Sequence, residues 1–260
     1  MGLMDQVSKP ADRALVCTIC GDSGMGKTSL AATFPKPIFI RPEDGLQAIP
    51  ASDRPDAFPV AQTAEQVFDQ ITALIKEDHE YQTVVFDSVT RLEALFVQDI
   101  LERDGRAKSI NQAMGGYGAG PAAVASMHSR VRKGAGLLNT RRGMHVVFLA
   151  HADVETMRLP DHDDYMRYSL RLPAKSLPPY VDDVDVVGFL RLEMFTKGDE
   201  GERKKAVATG DRELICYATP ANISKNRFGI TDAIPVPMGV NPLAGIVPGI
   251  PAVTQKENDQ

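Results

Sequence analysis

Apolar residues along this 260-residue chain recur with two different periods. Four runs are short, continuous and rich in β-branched or aromatic residues: Ala14 to Cys20, Pro37 to Arg41, Thr83 to Ser88 and His145 to Ala150. Their length and lack of alternation predict strands buried on both faces of a parallel sheet. Between them the apolar positions return at helical spacing. Val67, Phe68, Ile71, Leu74 and Ile75 form one stripe behind a Thr63/Gln66 capping pattern. Leu92, Leu95, Phe96 and Ile100 form a second, ending near Gly105, and Val124, Met127 and Val131 a third, with Pro121 at a plausible first helical position. Alternating strands and helices predict an α/β fold, a mostly parallel sheet with helices on both faces. After residue 180 the helices drop out. Asp185 to Leu192 and Leu214 to Thr219 read as strands joined by a polar turn, Thr196 to Lys205, which predicts an antiparallel extension of the sheet. Residues 235–260 hold five prolines and no clear period, so they are expected to be an irregular tail, or an arm on a neighbour, beyond a core spanning 1–234.

Between the first strand and the first helix stands GDSGMGKT, Gly21 to Thr28, a complete G-x-x-x-x-G-K-[ST] pattern. Strand, glycine loop and helix in that order are the setting in which this pattern cradles phosphates. The expected nucleotide contacts are Gly21, Asp22, Ser23, Gly24, Met25, Gly26, Lys27, Thr28 and Ser29. Backbone N–H groups and the helix N-terminus would face the phosphates, Lys27 would reach the β- and γ-phosphates, and the Thr28 hydroxyl would take a Mg²⁺ position. The plainer alternative is a glycine turn. Asp87, closing the third strand, suits the second Mg²⁺-holding position, so ATP and Mg²⁺ are the expected cofactors. Glu43, after the second strand, could orient the attacking water, and His151, ending the fourth, could sense the γ-phosphate. Their alternatives are an ordinary loop acid and a polar strand end.

An apolar content of 43% and a charged content of 24% are those of an ordinary globular protein of one large domain. No apolar run approaches membrane-spanning length and the start lacks a signal-peptide stretch, so a cytoplasmic protein without a membrane partner is expected. Three cysteines make no disulfide framework. Cys17 and Cys20 lie three apart on one strand, so their side chains should point to opposite faces and pack in the core. The net charge is −5, but its distribution is uneven. From Asp104 to Asp153 no acid intervenes, while Arg106, Lys108, Arg130, Arg132, Lys133, Arg141 and Arg142 all fall there, leaving −12 on the remainder. Such segregation suits a polyanion partner. Arg130, Arg132, Lys133, Arg141 and Arg142 could meet phosphates, and Tyr117, set among glycines, could stack on a base. The alternative is a solvated helix face.

Several segments together resemble RecA-type recombinases and the related hexameric helicases. IFIRPEDGL (Ile38 to Leu46) is similar to the strand-plus-glutamate element that supplies their catalytic carboxylate, which falls on Glu43. TVVFDSVTRLE resembles their metal-binding strand, on Asp87 and Ser88, and HVVFLAHAD the strand whose last polar residue senses the γ-phosphate, with His151 where the recombinases usually carry Gln. The glycine-rich run Met114 to Gly120 stands where the family has its first DNA-binding loop. SKNRFG (Ser224 to Gly229) resembles the element whose basic pair reaches a neighbouring subunit's phosphates, which implicates Lys225 and Arg227. The chain looks closest to the short RecA-like ATPases of bacteriophages, several of which anneal single strands.

The resemblance implies a RecA-like P-loop NTPase core over residues 1–234, DNA-stimulated ATP hydrolysis, single-stranded DNA as partner, and a ring or filament of identical subunits with composite sites. It also implies strand annealing or homologous recombination as output, a single-strand-binding protein as a further partner, and the bacterial host cytoplasm as location if phage-encoded. Two departures stand out. The first strand begins near residue 14, without the long polymerisation segment of true recombinases. The second DNA-binding loop position, about Asp153 to Arg171, holds Asp161-His-Asp-Asp164 beside Arg158, Arg167 and Arg171, which disfavours three-strand exchange. His162 among those acids could bind metal or sit in a solvated loop. The competing readings are a helicase motor or loader, a nucleotide-regulated interaction module with little hydrolysis and, less well matched, a nucleoside-phosphate kinase.

Overall fold

The computed structural model describes residues 2–9, 11–161, 163–197 and 205–252. Its framework is one sheet of strands β1 (Val16–Gly21), β2 (Pro37–Ile40), β3 (Asp56–Ala57), β4 (Thr83–Asp87), β5 (His145–Met157), β6 (Tyr165–Leu170), β7 (Val186–Lys197), β8 (Lys205–Ile215) and β9 (Ile234–Pro235). The order is β3-β2-β4-β5-β1-β7-β8-β9, with β6 paired to β5. From β3 to β7 all neighbours on this path run parallel, whereas β8 and β9 are antiparallel additions. The mostly parallel sheet with an antiparallel edge is the architecture the alternating periods predict.

Every residue of β1 is buried, because β5 and β7 occupy both of its edges and both of its faces are covered. One face packs against α2 (Ala64–Lys76), α3 (Val89–Arg103) and α4 (Ala119–Arg142), through Val67, Ile71, Leu92, Phe96, Val124 and Val131 among others. Cys20 faces this layer. Cys17 faces the other, where α1 (Lys27–Ala31) supplies Leu30 and Ala31. The two thiols therefore point apart, as strand geometry demands, and all three cysteines are free and buried. Five residues of α1 reach only ~7.5 Å at 1.5 Å per residue, too little to cover a sheet face. Leu243, Val247 and Ile250 complete the cover from the C-terminal segment, which crosses the sheet without helix or strand after β9.

The helices begin where local chemistry dictates. Thr63 Oγ1 accepts from the Gln66 N–H at 3.3 Å, while Gln66 Oε1 accepts from the Gln62 N–H, one residue before the position a reciprocal capping box uses. Ser88 Oγ accepts from the Arg91 N–H and so caps α3. Pro121 is the third residue of α4, not the first, because Gly118 at φ 82° serves as its N-cap.

The segment expected as a loop, Asp153 to Arg171, is a β-hairpin: β5 continues to Met157 and β6 returns with Val154 opposite Tyr168 and Thr156 opposite Met166. Two ion pairs tie its two sides together, Arg167 with Glu155 at 2.6 Å across the strands and Arg158 with Asp164 at 3.5 Å just beyond them. That pairing explains why a polar stretch holds strand geometry. His162 lies outside the described residues, as does most of the turn expected over Thr196 to Lys205.

Leu243 is fully buried. Leu243→Ala should therefore lower unfolding stability by about 2–5 kcal/mol in urea titrations, and Ile246→Ala, at a partly exposed neighbour, by less than about 0.5 kcal/mol. Equal small effects would mean that the C-terminal segment does not pack on the sheet.

Candidate functional site

The carboxyl ends of β1, β4 and β5 lie side by side, and parallel register carries Gly21 level with His151 and Asp87 level with Leu149. The loop after Gly21 then turns into α1. Gly24 and Gly26 adopt φ of 81° and 82°, a left-handed conformation that side chains disfavour. This brings the ends of several elements around a cleft of about 510 Å³, whose polar lining includes Ser23, Lys27, Thr28, Glu43, Asp87 and His151.

Lys27 Nζ donates to the Gly21 and Asp22 carbonyls, both at 2.8 Å, which holds the ammonium group inside the loop. Burial pulls its pKa below the ordinary lysine value. Thr28 Oγ1 donates to Asp87 Oδ2 at 2.8 Å. A hydroxyl and a carboxylate joined in this way offer two hard oxygens to one small cation. Gly45 lies close enough that an added Cβ would sit 3.6 Å from Asp87 Oδ2. Burial raises the Asp87 pKa, partly offset by the Thr28 hydrogen bond.

Glu43 is reached through Ser88, whose Oγ donates to Glu43 Oε1 at 3.3 Å while also capping α3. The His151 N–H donates to Thr90 Oγ1 at 2.9 Å, which fixes the backbone there. His151 Nδ1 is buried with no hydrogen-bond partner among the described residues. Burial first, then the charge on Lys27, lowers the imidazole pKa, so the ring is neutral near pH 7. The arrangement suits a polyphosphate with a divalent cation: a glycine cradle, an ammonium group, an oxygen pair and a carboxylate a few ångströms away. A larger cavity, about 690 Å³, opens between Lys36, Arg54, His79 and Tyr81. Its groups already pair with neighbours, Lys36 with Glu80 at 3.1 Å and the Tyr81 hydroxyl with Asp56 at 3.0 Å.

The remaining sequence-predicted residues lie elsewhere. Lys225 bridges Val187, itself paired with Thr18, and Lys225 Nζ donates to the Asp182 carbonyl at 2.8 Å. Arg227 Nη1 lies 3.6 Å from Asp185, whose N–H donates to the Val16 carbonyl. Both thus flank the amino-terminal half of β1, roughly 10–17 Å along the strand from Gly21. Burial, then the charge of Arg227, lowers the Lys225 pKa.

The basic block divides. At ~100° per residue, Arg130, Lys133 and Arg141 share one side of α4 and are exposed, although Arg130 also stacks 4.0 Å over the Phe68 ring. Arg132 is partly buried and donates to the Asp183 carbonyl, and Arg142 donates to the Glu77 carbonyl at 2.8 Å. Tyr117 is fully exposed at φ 49° in the loop before α4. Because α4 runs into β5, that loop lies at the cleft end of the sheet and Arg141 at the opposite end.

Sequence reading placed Ser88 beside Asp87 but missed its hydrogen bond to Glu43, and it missed one participant altogether. Arg212 of β8 lines the cleft, with Nη1 donating to the Met25 carbonyl at 3.2 Å. It belongs to no motif, and only the strand pairing brings it there.

Because Asp87 carries a raised pKa, its charged form weakens the fold. Stability should fall as pH rises from the unfolded carboxylate value toward the raised native one. Asp87→Asn should then melt at a higher temperature than wild type at pH 7 in metal-free buffer, with the gap closing below about pH 4. A lower melting temperature at pH 7 would show that the carboxylate is held favourably without a cation.

No helix among the described residues is long and apolar enough to cross a membrane. No curated protein sequence matches the chain significantly. Among solved structures, the crystal structure of the RadB recombinase is similar at 13% identity and a TM-score of 0.47, covering 88% of this chain and 90% of that one. The mostly parallel sheet and the glycine loop behind a central parallel strand make this a P-loop NTPase fold with an antiparallel edge. A family described as AAA domain matches residues 13–228, and the chain belongs to that family.

Proposed function

We propose that the protein is an ATPase that binds single-stranded DNA and promotes strand annealing in homologous recombination, working as a homo-oligomer with active sites shared between subunits. The observation that carries the nucleotide reading is the joining of Thr28 to Asp87 beside Lys27. In this reading Lys27 exchanges its two carbonyl acceptors for β- and γ-phosphate oxygens, and Thr28 and Asp87 hold Mg²⁺. When bound, the metal would neutralise charge on the transferring phosphoryl group. Glu43, restrained by Ser88, orients the attacking water. His151, which lines the cleft, senses the γ-phosphate by hydrogen bonding, a role that a lowered imidazole pKa suits better than a fixed charge.

The placement of Lys225 and Arg227 supports sharing between subunits. Lying along the amino-terminal half of β1, they are badly placed for their own cleft, while Arg227 remains largely exposed for a neighbour. A cation supplied in trans stabilises transition-state charge only once subunits dock. For DNA, Tyr117 is a free stacking surface at the cleft end of the sheet, and Arg130, Lys133 and Arg141 offer exposed charge along α4. The carbonyl contacts of Arg132 and Arg142 make them secondary.

Mixing tests the shared site. Lys27→Ala and Arg227→Ala proteins, each inactive alone, should together regain ATPase activity where an intact Lys27 meets a neighbour's intact Arg227. Absence of rescue in demonstrated mixed assemblies would assign independent sites. A salt titration of single-stranded DNA affinity tests the basic face. Replacing Arg130, Lys133 and Arg141 by Ala should flatten the slope of log affinity against log salt by about 2, at ~0.7 per lost contact. Arg132→Ala should leave the slope unchanged. Tyr117→Ala should cost about 1–3 kcal/mol. Wild-type slope and affinity in both would remove this surface from DNA binding.

A further inference from the structure

Building on the nucleotide reading, we infer that Arg212 is a phosphate-contacting residue of the cleft, supplied by the same chain and held in place by the C-terminal segment. The guanidinium lies directly on the glycine loop. Nη1 donates to the Met25 carbonyl at 3.2 Å, and a Cβ built on Gly26 would fall 2.2 Å from that nitrogen. Gly26 is required for its φ of 82°, and a Cβ there would also push the flexible end of Arg212 off the loop. Nη2 donates to the Val236 carbonyl at 3.3 Å and lies 3.1 Å from Met238 Sδ, while the Val236 N–H returns to the Arg212 carbonyl at 2.8 Å. β8 and the segment after β9 therefore fix both backbone and side chain.

All these acceptors are neutral, and Arg212 makes no ion pair with a carboxylate among the described residues. Guanidinium remains charged at any working pH and carries five donors. Three contacts leave two donors, Nε–H and one on Nη1, on a residue that lines the cleft together with Lys27 and Thr28. The Met25–Gly26 part of such a loop faces the α- and β-phosphates. Two cations, Lys27 and Arg212, then meet the polyphosphate in one cleft. This contact precedes chemistry and does not change during it, so it contributes uniform binding: affinity and KM depend on it, and kcat does not.

The test compares ADP affinity, ATP KM and kcat for wild type, Arg212→Gln, Arg212→Lys and Lys27→Ala. Losing a charge-assisted hydrogen bond should weaken ADP binding and raise KM by about tenfold to a hundredfold in Arg212→Gln, with kcat nearly unchanged and partial recovery in Arg212→Lys. Wild-type ADP affinity in Arg212→Gln, where Lys27→Ala has lost binding, would overturn the inference. If Lys27→Ala also binds ADP like wild type, the nucleotide reading fails and this inference falls with it. Unmodified protein gives a second reading, independent of variant folding. ADP should shield Arg212 from phenylglyoxal, mapped by mass spectrometry, and equal labelling with and without ADP would overturn the inference.

Discussion

The burial of β1 on both faces and along both edges is the constraint from which the site follows. A strand so enclosed has no register freedom, because a slip of one residue would exchange Cys17 and Cys20 between the two apolar layers. With β1 fixed between β5 and β7, Gly21 must end level with His151. β4 on the far side of β5 then delivers Asp87 to the same edge. The chain can turn only outward there, and the glycines at φ of about 80° let it do so while pointing Thr28 back at Asp87. Packing free energy thus positions a hydroxyl and a carboxylate whose hydrogen bond only partly offsets the cost of burying Asp87.

The same sheet separates two groups of polar residues by its two ends. The glycine loop, Lys27, Thr28, Asp87 and His151, with Tyr117, gather at the carboxyl end of the parallel strands. Lys225, Arg227 and Arg132 gather toward the other end, held by carbonyls and carboxylates of residues 182–185. Arg212 differs from this pair because its strand is antiparallel and carries it back to the glycine loop of its own chain.

Much of this was legible in the chain. The central strands were readable because full burial leaves continuous apolar runs, and the glycine loop because its pattern fixes four residue types within eight consecutive positions. The hairpin of β5 and β6 was not, since its polarity resembles that of a loop and its order depends on pairs such as Arg167 with Glu155, formed only across strands. The basic block was readable as charge but not as a surface, because Arg132 and Arg142 turn to backbone carbonyls that the sequence places far away. The proline-rich end was readable as irregular backbone. That Leu243, Val247 and Ile250 replace a missing helix layer follows only from how short α1 is, ending at Ala31.

The most direct test is a structure of the protein with Mg²⁺ and a non-hydrolysable ATP analogue. The account predicts the triphosphate inside the Gly21 to Thr28 loop, with the metal on Thr28 Oγ1, Lys27 Nζ turned from the Gly21 and Asp22 carbonyls to phosphate oxygens, and Glu43 and His151 facing the terminal phosphate. Analogue bound in another cavity, or a loop whose Lys27 keeps its carbonyl contacts with analogue present at saturating concentration, would contradict it.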